Sequence, residues 1–306
     1  MRIMTQFNNK ILLIVLAVLL GGFVVSKMFR TPARESNLRK TILKLDTAKI
    51  SAIHVRPASE RKSEIRLARS GTGWAVGNGQ VNANVDINQV KNALSFLSAI
   101  HPDRMVTRSK DKWPTYQVDS TGTHVKIFAG TDLSSELWVG RSGSGPTCVR
   151  IEGNDEVFEI KEPLSAHFNK TFSAWRDKTF SRLEPENISS ISFQYAGDSS
   201  YVLKRDKNIW MINNLKVDST KVINYLNKFR SRNMSEFADN FVPGTSPTYE
   251  LTFSSDSVNA VTVKAWNTTG EEVVLASSQQ DKVYFSNRDR SLVRELFPGK
   301  EVFAGK

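Results

Sequence analysis

One order of motifs occurs twice along this chain, and that repetition restricts the fold more than any other feature. The first copy opens Leu45-Asp46 and continues Ile50-Ser51-Ala52-Ile53-His54-Val55; the second opens Leu183-Glu184 and continues Ile188-Ser189-Ser190-Ile191-Ser192-Phe193. Alternating stretches follow at 64–69 and 200–205, the period-two signature of a strand with one buried face. Strands centred on Trp74 and Trp210 come next. Each copy then places an aspartate, Asp86 or Asp218, just ahead of apolar residues at helical spacing: Val90, Leu94, Leu97 and Val222, Leu226, Phe229. An aspartate there predicts an N-cap, its carboxylate accepting from the open first-turn N–H groups. Further strands are expected at 125–128, 137–140, 148–151 and 157–160, and at 249–253, 261–264, 273–275 and 283–285. Short helices at 163–172 and 290–296 close the copies. The expected fold class is α+β: two tandem modules, 45–178 and 179–306, each an antiparallel sheet with a packed helix, the second an internal repeat of the first. Two copies are too few for a solenoid.

Ahead of this body lies an uncharged run, ILLIVLAVLLGGFVVS at 11–26, flanked by Lys10 and Lys27. Residues 11–29 are expected to form a single membrane-spanning helix within a signal-anchor, 1–30, and 31–44 to form a polar tether. A cleaved signal peptide would end in a small-x-small site, which Phe23-Val24-Val25-Ser26-Lys27 matches poorly. Of the formal charge of +11, residues 27–69 carry +8, while residues 70–306 carry +1. The excess next to the anchor fits contact with anionic lipid headgroups or a solvated tether better than nucleic-acid binding, which calls for a basic face on the folded body. Basic residues after the helix favour a cytoplasmic body, yet long domains translocate largely regardless of charge, so orientation stays open on the residues alone.

No catalytic, cofactor or metal residues are assigned. The lone Cys148 excludes an internal disulfide and a cysteine zinc set. His54, His101, His124 and His167 stand at no metal-ligand spacing. The glycine-rich stretch from Gly140 to Gly145 lacks the lysine of a phosphate loop and reads as a hairpin turn. Trp74, Trp210, Trp138 and Trp266 are expected in strands as core packing; Trp113 and Trp175, outside them, are the better candidates for exposed contacts. Between His101 and Trp113 lie Arg104, Arg108, Lys110 and Lys112; the counterpart, 233–243, carries Glu236 and Asp239. Such loops could dock the modules on each other or on a partner, or simply reflect surface drift.

Taken in order, the signal-anchor, the Leu-Asp-x-x-x-Ile-x-x-Ile opening, the Trp-centred strand, the Asp-capped helix and a second copy after Ala174-Trp175-Arg176-Asp177-Lys178 resemble the bacterial family catalogued as domain of unknown function 4340. Tyr284-Phe285 and Leu296-Phe297-Pro298 are similar to its Bacteroidetes members. This chain departs from the family in its basic loop and in reading Tyr116-Gln117-Val118 where Tyr-Gly-Leu is common. The resemblance implies an inner-membrane protein with a periplasmic body, often encoded beside a gliding-type ABC transport system. It carries no catalytic residues over.

The expectation is therefore a non-catalytic, membrane-anchored accessory or scaffold protein associated with an ABC-type transport system, binding a partner protein or envelope component and no nucleic acid. Two alternatives stand beside it. One is an envelope hydrolase or transferase using acids between the modules; the other is an anionic-lipid or nucleic-acid binder facing the cytoplasm.

Overall fold

The computed structural model describes residues 9–28, 40–141, 145–197, 199–255, 260–268, 270–288 and 290–305. Helix α1, Asn9–Met28, has described side chains at 13–22. Every one of these is exposed, the seven large apolar residues from Leu13 to Leu20 included, so no side of this stretch packs on the body. Among the described residues no helix is long and apolar enough to cross a membrane. The side chains that complete the expected span, at 11–12 and 23–29, lie outside the described set, as does most of the tether. The tether's end is already folded: Leu43–Lys44 pairs with Ala99–Ile100.

The body is α+β with two large antiparallel sheets. The first comprises β1 (Ile50–Arg56), β2 (Ile65–Ser70), β3 (Gly73–Gly77), β4 (Asn82–Asn84), β5 (Pro102–Thr107), β6 (Thr123–Ala129), β7 (Asp132–Arg141), β8 (Thr147–Ile151) and β9 (Val157–Ile160), with α2 (Ile87–Ser98) between β4 and β5. Its strand order is β4-β3-β2-β1-β6-β7-β8-β9-β5. After β9 comes α3, Leu164–Phe168, and then a separate turn of helix at Phe172–Trp175, where one helix over 163–172 was expected. The second sheet comprises β10 (Ile188–Tyr195), β11 (Tyr201–Asp206), β12 (Ile209–Ile212), β13 (Leu215–Lys216), β14 (Tyr249–Ser255), β15 (Val261–Asn267), β16 (Val273–Ser277) and β17 (Tyr284–Asn287). Helix α4 (Ser219–Asn227) precedes β14 and α5 (Ser291–Leu296) follows β17. The order β13-β12-β11-β10-β14-β15-β16-β17 matches the first sheet strand for strand, apart from β5.

Alternation explains how each sheet acquires one apolar face. In β1, Ile53 and Val55 point into the first core with Val125, Ile127, Leu137 and Val149, where α2 adds Val90, Ala93 and Leu97. The second core repeats this with Ile191, Phe193, Leu251, Phe253 and Val263 under Val222, Leu226 and Phe229. Each fully buried aliphatic or aromatic side chain contributes about 1.5–3 kcal/mol. The helices start at the expected caps: Asp86 accepts from Asn88 N at 2.9 Å, and Asp218 accepts from Thr220 N at 2.9 Å and Lys221 N at 3.3 Å.

Strand β5 falls in the basic stretch read as a loop. It is an edge strand that starts at Pro102, the position where a sheet tolerates proline, and its partly solvated faces show no apolar alternation. Trp175, expected to be exposed, is fully buried in the first core.

His167, on α3, is enclosed by Phe96, Phe168 and Trp175, each edge-on to its ring, and donates from Nε2 to the Gln89 carbonyl at 3.2 Å. Burial first, and then Lys170, push its pKa down to about 4. The folded state thus resists protonation that the unfolded chain accepts near its ordinary value of 6.5. The His167 contribution to stability is complete above that value and is lost as pH falls towards about 4. Acidification through this window is expected to remove about 1–3 kcal/mol, and His167→Gln should flatten that part of the profile. Urea unfolding followed by tryptophan fluorescence at a series of pH values checks it; an unchanged slope in the variant contradicts the assignment.

Candidate binding groove

The outer faces of the two sheets, turned away from the cores, differ sharply. Equivalent positions follow from register. Ile53 and Ile191 hold the same place in the repeated motif; Ile53 pairs with Ile127 and Ile191 with Phe253. Two residues upstream, Val125 pairs with Leu137, and Leu251 with Val263. Leu137 and Val263 are therefore counterparts, which matches Trp138 with Lys264 and Gly140 with Trp266. Across the next rung, Arg150 opposite Trp138 corresponds to Ala276 opposite Lys264.

In the first module this face is filled. The His124 and Trp138 rings stack at 4.0 Å, and the Arg150 guanidinium lies 3.9 Å from the Trp113 ring centroid. Arg150 is 3% exposed; it donates from Nε to the Val118 carbonyl at 2.9 Å and from Nη2 to Glu152 at 2.9 Å. Trp138 donates from Nε1 to the same Glu152 carboxylate at 2.5 Å. Holding this cover in place is the segment between β5 and β6, in which Trp113, Tyr116 and Val118 pack with Cys148 and Val157. Gln117 closes the short helix Trp113–Tyr116 at φ 53°, the left-handed region that favours glycine. A glycine at this point would adopt that geometry without strain. Gln117→Gly is expected to stabilise by up to about 1 kcal/mol, readable as a raised thermal midpoint. Trp113, expected as an exposed contact, is half-buried over Arg150.

In the second module the same face is open. Lys264 and Ala276 replace the bulk of Trp138 and Arg150, and a 3.6 Å Lys264–Glu250 ion pair replaces the ring stack. The connection from β17's partner segment to β14 is also shorter. Residues 236–238 pair with β17 (Ser286 N to Glu236 O, 2.8 Å; Ala238 N to Tyr284 O, 2.9 Å), much as β5 pairs with β9. The chain then turns at Phe241, which packs on Trp266 and Tyr284 with ring centroids 5.6 and 5.3 Å away. What remains is a groove of about 610 Å³. Its floor is Glu250, Thr262, Lys264, Trp266 and Ala276, and its walls are the 243–247 and 277–284 segments. Trp138 and Trp266, expected in the cores, both lie on this outer face.

Asp281, Lys282 and Tyr284 also line a second cleft, of about 400 Å³, between the modules. Its back is a clasp. Arg176, 3% exposed, donates from one nitrogen to both Asp239 oxygens at 2.8 and 2.7 Å, and its guanidinium lies 3.5 Å from the Phe237 ring centroid. Among the described residues, its Nε has no acceptor. The acids lining this cleft are Asp239, tied to Arg176, and Asp281.

The oppositely charged loops do not pair with each other among the described residues. Arg104, Arg108 and Lys110 meet Glu159, Glu156 and Asp155 of their own module, while Asp239 grips Arg176. Among the described residues no three His, Cys, Asp or Glu side chains form a metal-binding group. His124 contacts Glu136 at 2.5 Å, and burial lowers its pKa against the opposing pull of that carboxylate. His54 lies 3.5 Å from Glu64, and His101 4.0 Å from Glu162. The tip of the glycine-rich hairpin, 142–144, lies outside the described residues.

These features define a two-sheet α+β protein with one closed and one open outer face. The chain belongs to the family described as Domain of unknown function (DUF4340), whose match spans residues 76–254, more than half of its length. No curated protein and no solved structure matches it.

Proposed function

We propose that this protein is a membrane-anchored, non-catalytic binding subunit. Its α1 is the anchor, its body lies on the periplasmic face of the bacterial inner membrane, and the second module's groove holds a partner protein or an envelope component. The observation that carries the binding role is the contrast between the faces: one topology, with the cover built in on one module and left off on the other. The anchor reading is supported by the exposure of apolar residues all round the described part of α1, since a helix apolar on every side calls for an apolar surrounding. Service to an ABC-type transport system rests on the family resemblance alone, and we read the shared strand order of the modules as a duplication.

A C-terminal fusion to alkaline phosphatase is expected to be active, and the same fusion to green fluorescent protein dark, as befits a periplasmic body. The reverse pattern contradicts the orientation. Affinity purification from membranes is expected to recover transporter subunits; their absence removes that association without touching the groove.

A further inference from the structure

We infer that the groove takes an uncharged oligosaccharide, an inference that rests on the reading of this groove as the binding site. The floor is the face of a sheet, not its edge: β14, β15 and β16 spend their backbone donors and acceptors on one another and on β10 and β17. An extended peptide laid across it would bring an N–H and a C=O with every residue and find no backbone partners below. A sugar needs none. Its hydroxyls match short-range side-chain donors and acceptors, which Glu250, Thr262, Lys264 and Asp281 supply along the groove. Its C–H faces match aromatic rings, and the half-buried Trp266 of the floor and Tyr284 of the adjoining wall lie with ring centroids 6.0 Å apart and planes at 73°. Two lysines, Lys264 and Lys282, balance Glu250 and Asp281, so the lining favours an uncharged chain over a polyanion. A volume of about 610 Å³ falls inside the ~300–1,000 Å³ usual for ligand sites.

The test uses the full chain in lipid nanodiscs, because glycoside detergents carry the ligand class themselves. Cello-, chito- and manno-oligosaccharides and a polyuronate are titrated by calorimetry and tryptophan fluorescence. One neutral series is expected to bind, and which one does so separates the glycan sources. Trp266→Ala should weaken it about tenfold or more. Ala276→Arg, which restores the bulk that Arg150 provides in the first module, should abolish it while the thermal midpoint stays unchanged. The inference is overturned if no neutral series binds, if the polyuronate binds equally well, or if binding survives both variants. If no sugar binds but Ala276→Arg still releases a partner from native membranes, the groove stands as a binding site and only its assignment to sugars falls.

Discussion

Gly140→Ala is expected to destabilise the first module by about 3 kcal/mol or more and to free the segment that covers its outer face. A Cβ at Gly140 would collide with the carbonyl oxygens of Tyr116 and Gln117, and one at Gly122 with the Gln117 carbonyl. These are backbone atoms, so no side-chain rotation relieves the clash; the segment has to lift. Lifting exposes Trp113 and removes the Val118 carbonyl from the buried Arg150 guanidinium, which then lacks one of its acceptors. Denaturant unfolding read by tryptophan fluorescence should show the loss, and limited proteolysis should cut between 108 and 122 in the variant alone. An unchanged midpoint and cleavage pattern would mean that this cover is not held by close approach at Gly140. The second module supplies an internal comparison, because the equivalent position is already Trp266 and its face has no such cover.

Asp239→Ala should be the costlier half of the junction clasp, at about 3–5 kcal/mol, because it leaves the buried Arg176 without its carboxylate. Arg176→Ala leaves instead an Asp239 whose side chain is 31% exposed and can be rehydrated, so a smaller loss is expected despite the broken Phe237 contact. Replacing both partners with apolar residues, as in Arg176→Met with Asp239→Leu, is expected to recover much of the Asp239→Ala loss, since no charge is then stranded. Midpoints of the three variants measure this. Equal losses for the two single variants would show that water reaches Arg176 and that the clasp is not a buried charge pair.

The sequence made the local rules of this fold legible. Asp86 and Asp218 announce helix starts because capping is a contact within three residues. Ile53 and Ile191 announce inward faces because alternation is written into the strand. Strand β5 was hidden because an edge strand solvated on both sides carries no alternation. Trp175 escapes the alternation rule because it ends the short helix Phe172–Trp175, which packs it into the first core without any strand periodicity. Trp138 and Trp266 lie in strands as expected but on the outer face, since Leu137 and Ala265, one residue away, point into the cores. The groove could not be read from either copy alone. It arises from differences between counterparts (Trp138 to Lys264, Arg150 to Ala276, Gly140 to Trp266) that only the pairing register aligns.

On this reading the second module's open face is occupied in the cell, on the periplasmic side of the membrane. A single thiol tests it. On a Cys148→Ala background, Ala276→Cys places the thiol on the groove floor, and Leu215→Cys places one at a position 73% exposed as a control. A membrane-impermeant maleimide is applied to the purified protein and to spheroplasts. The control is expected to be labelled in both, and the groove thiol to be labelled in the purified protein but protected in spheroplasts. Full labelling of the groove thiol in spheroplasts, or no labelling of the control there, would contradict it.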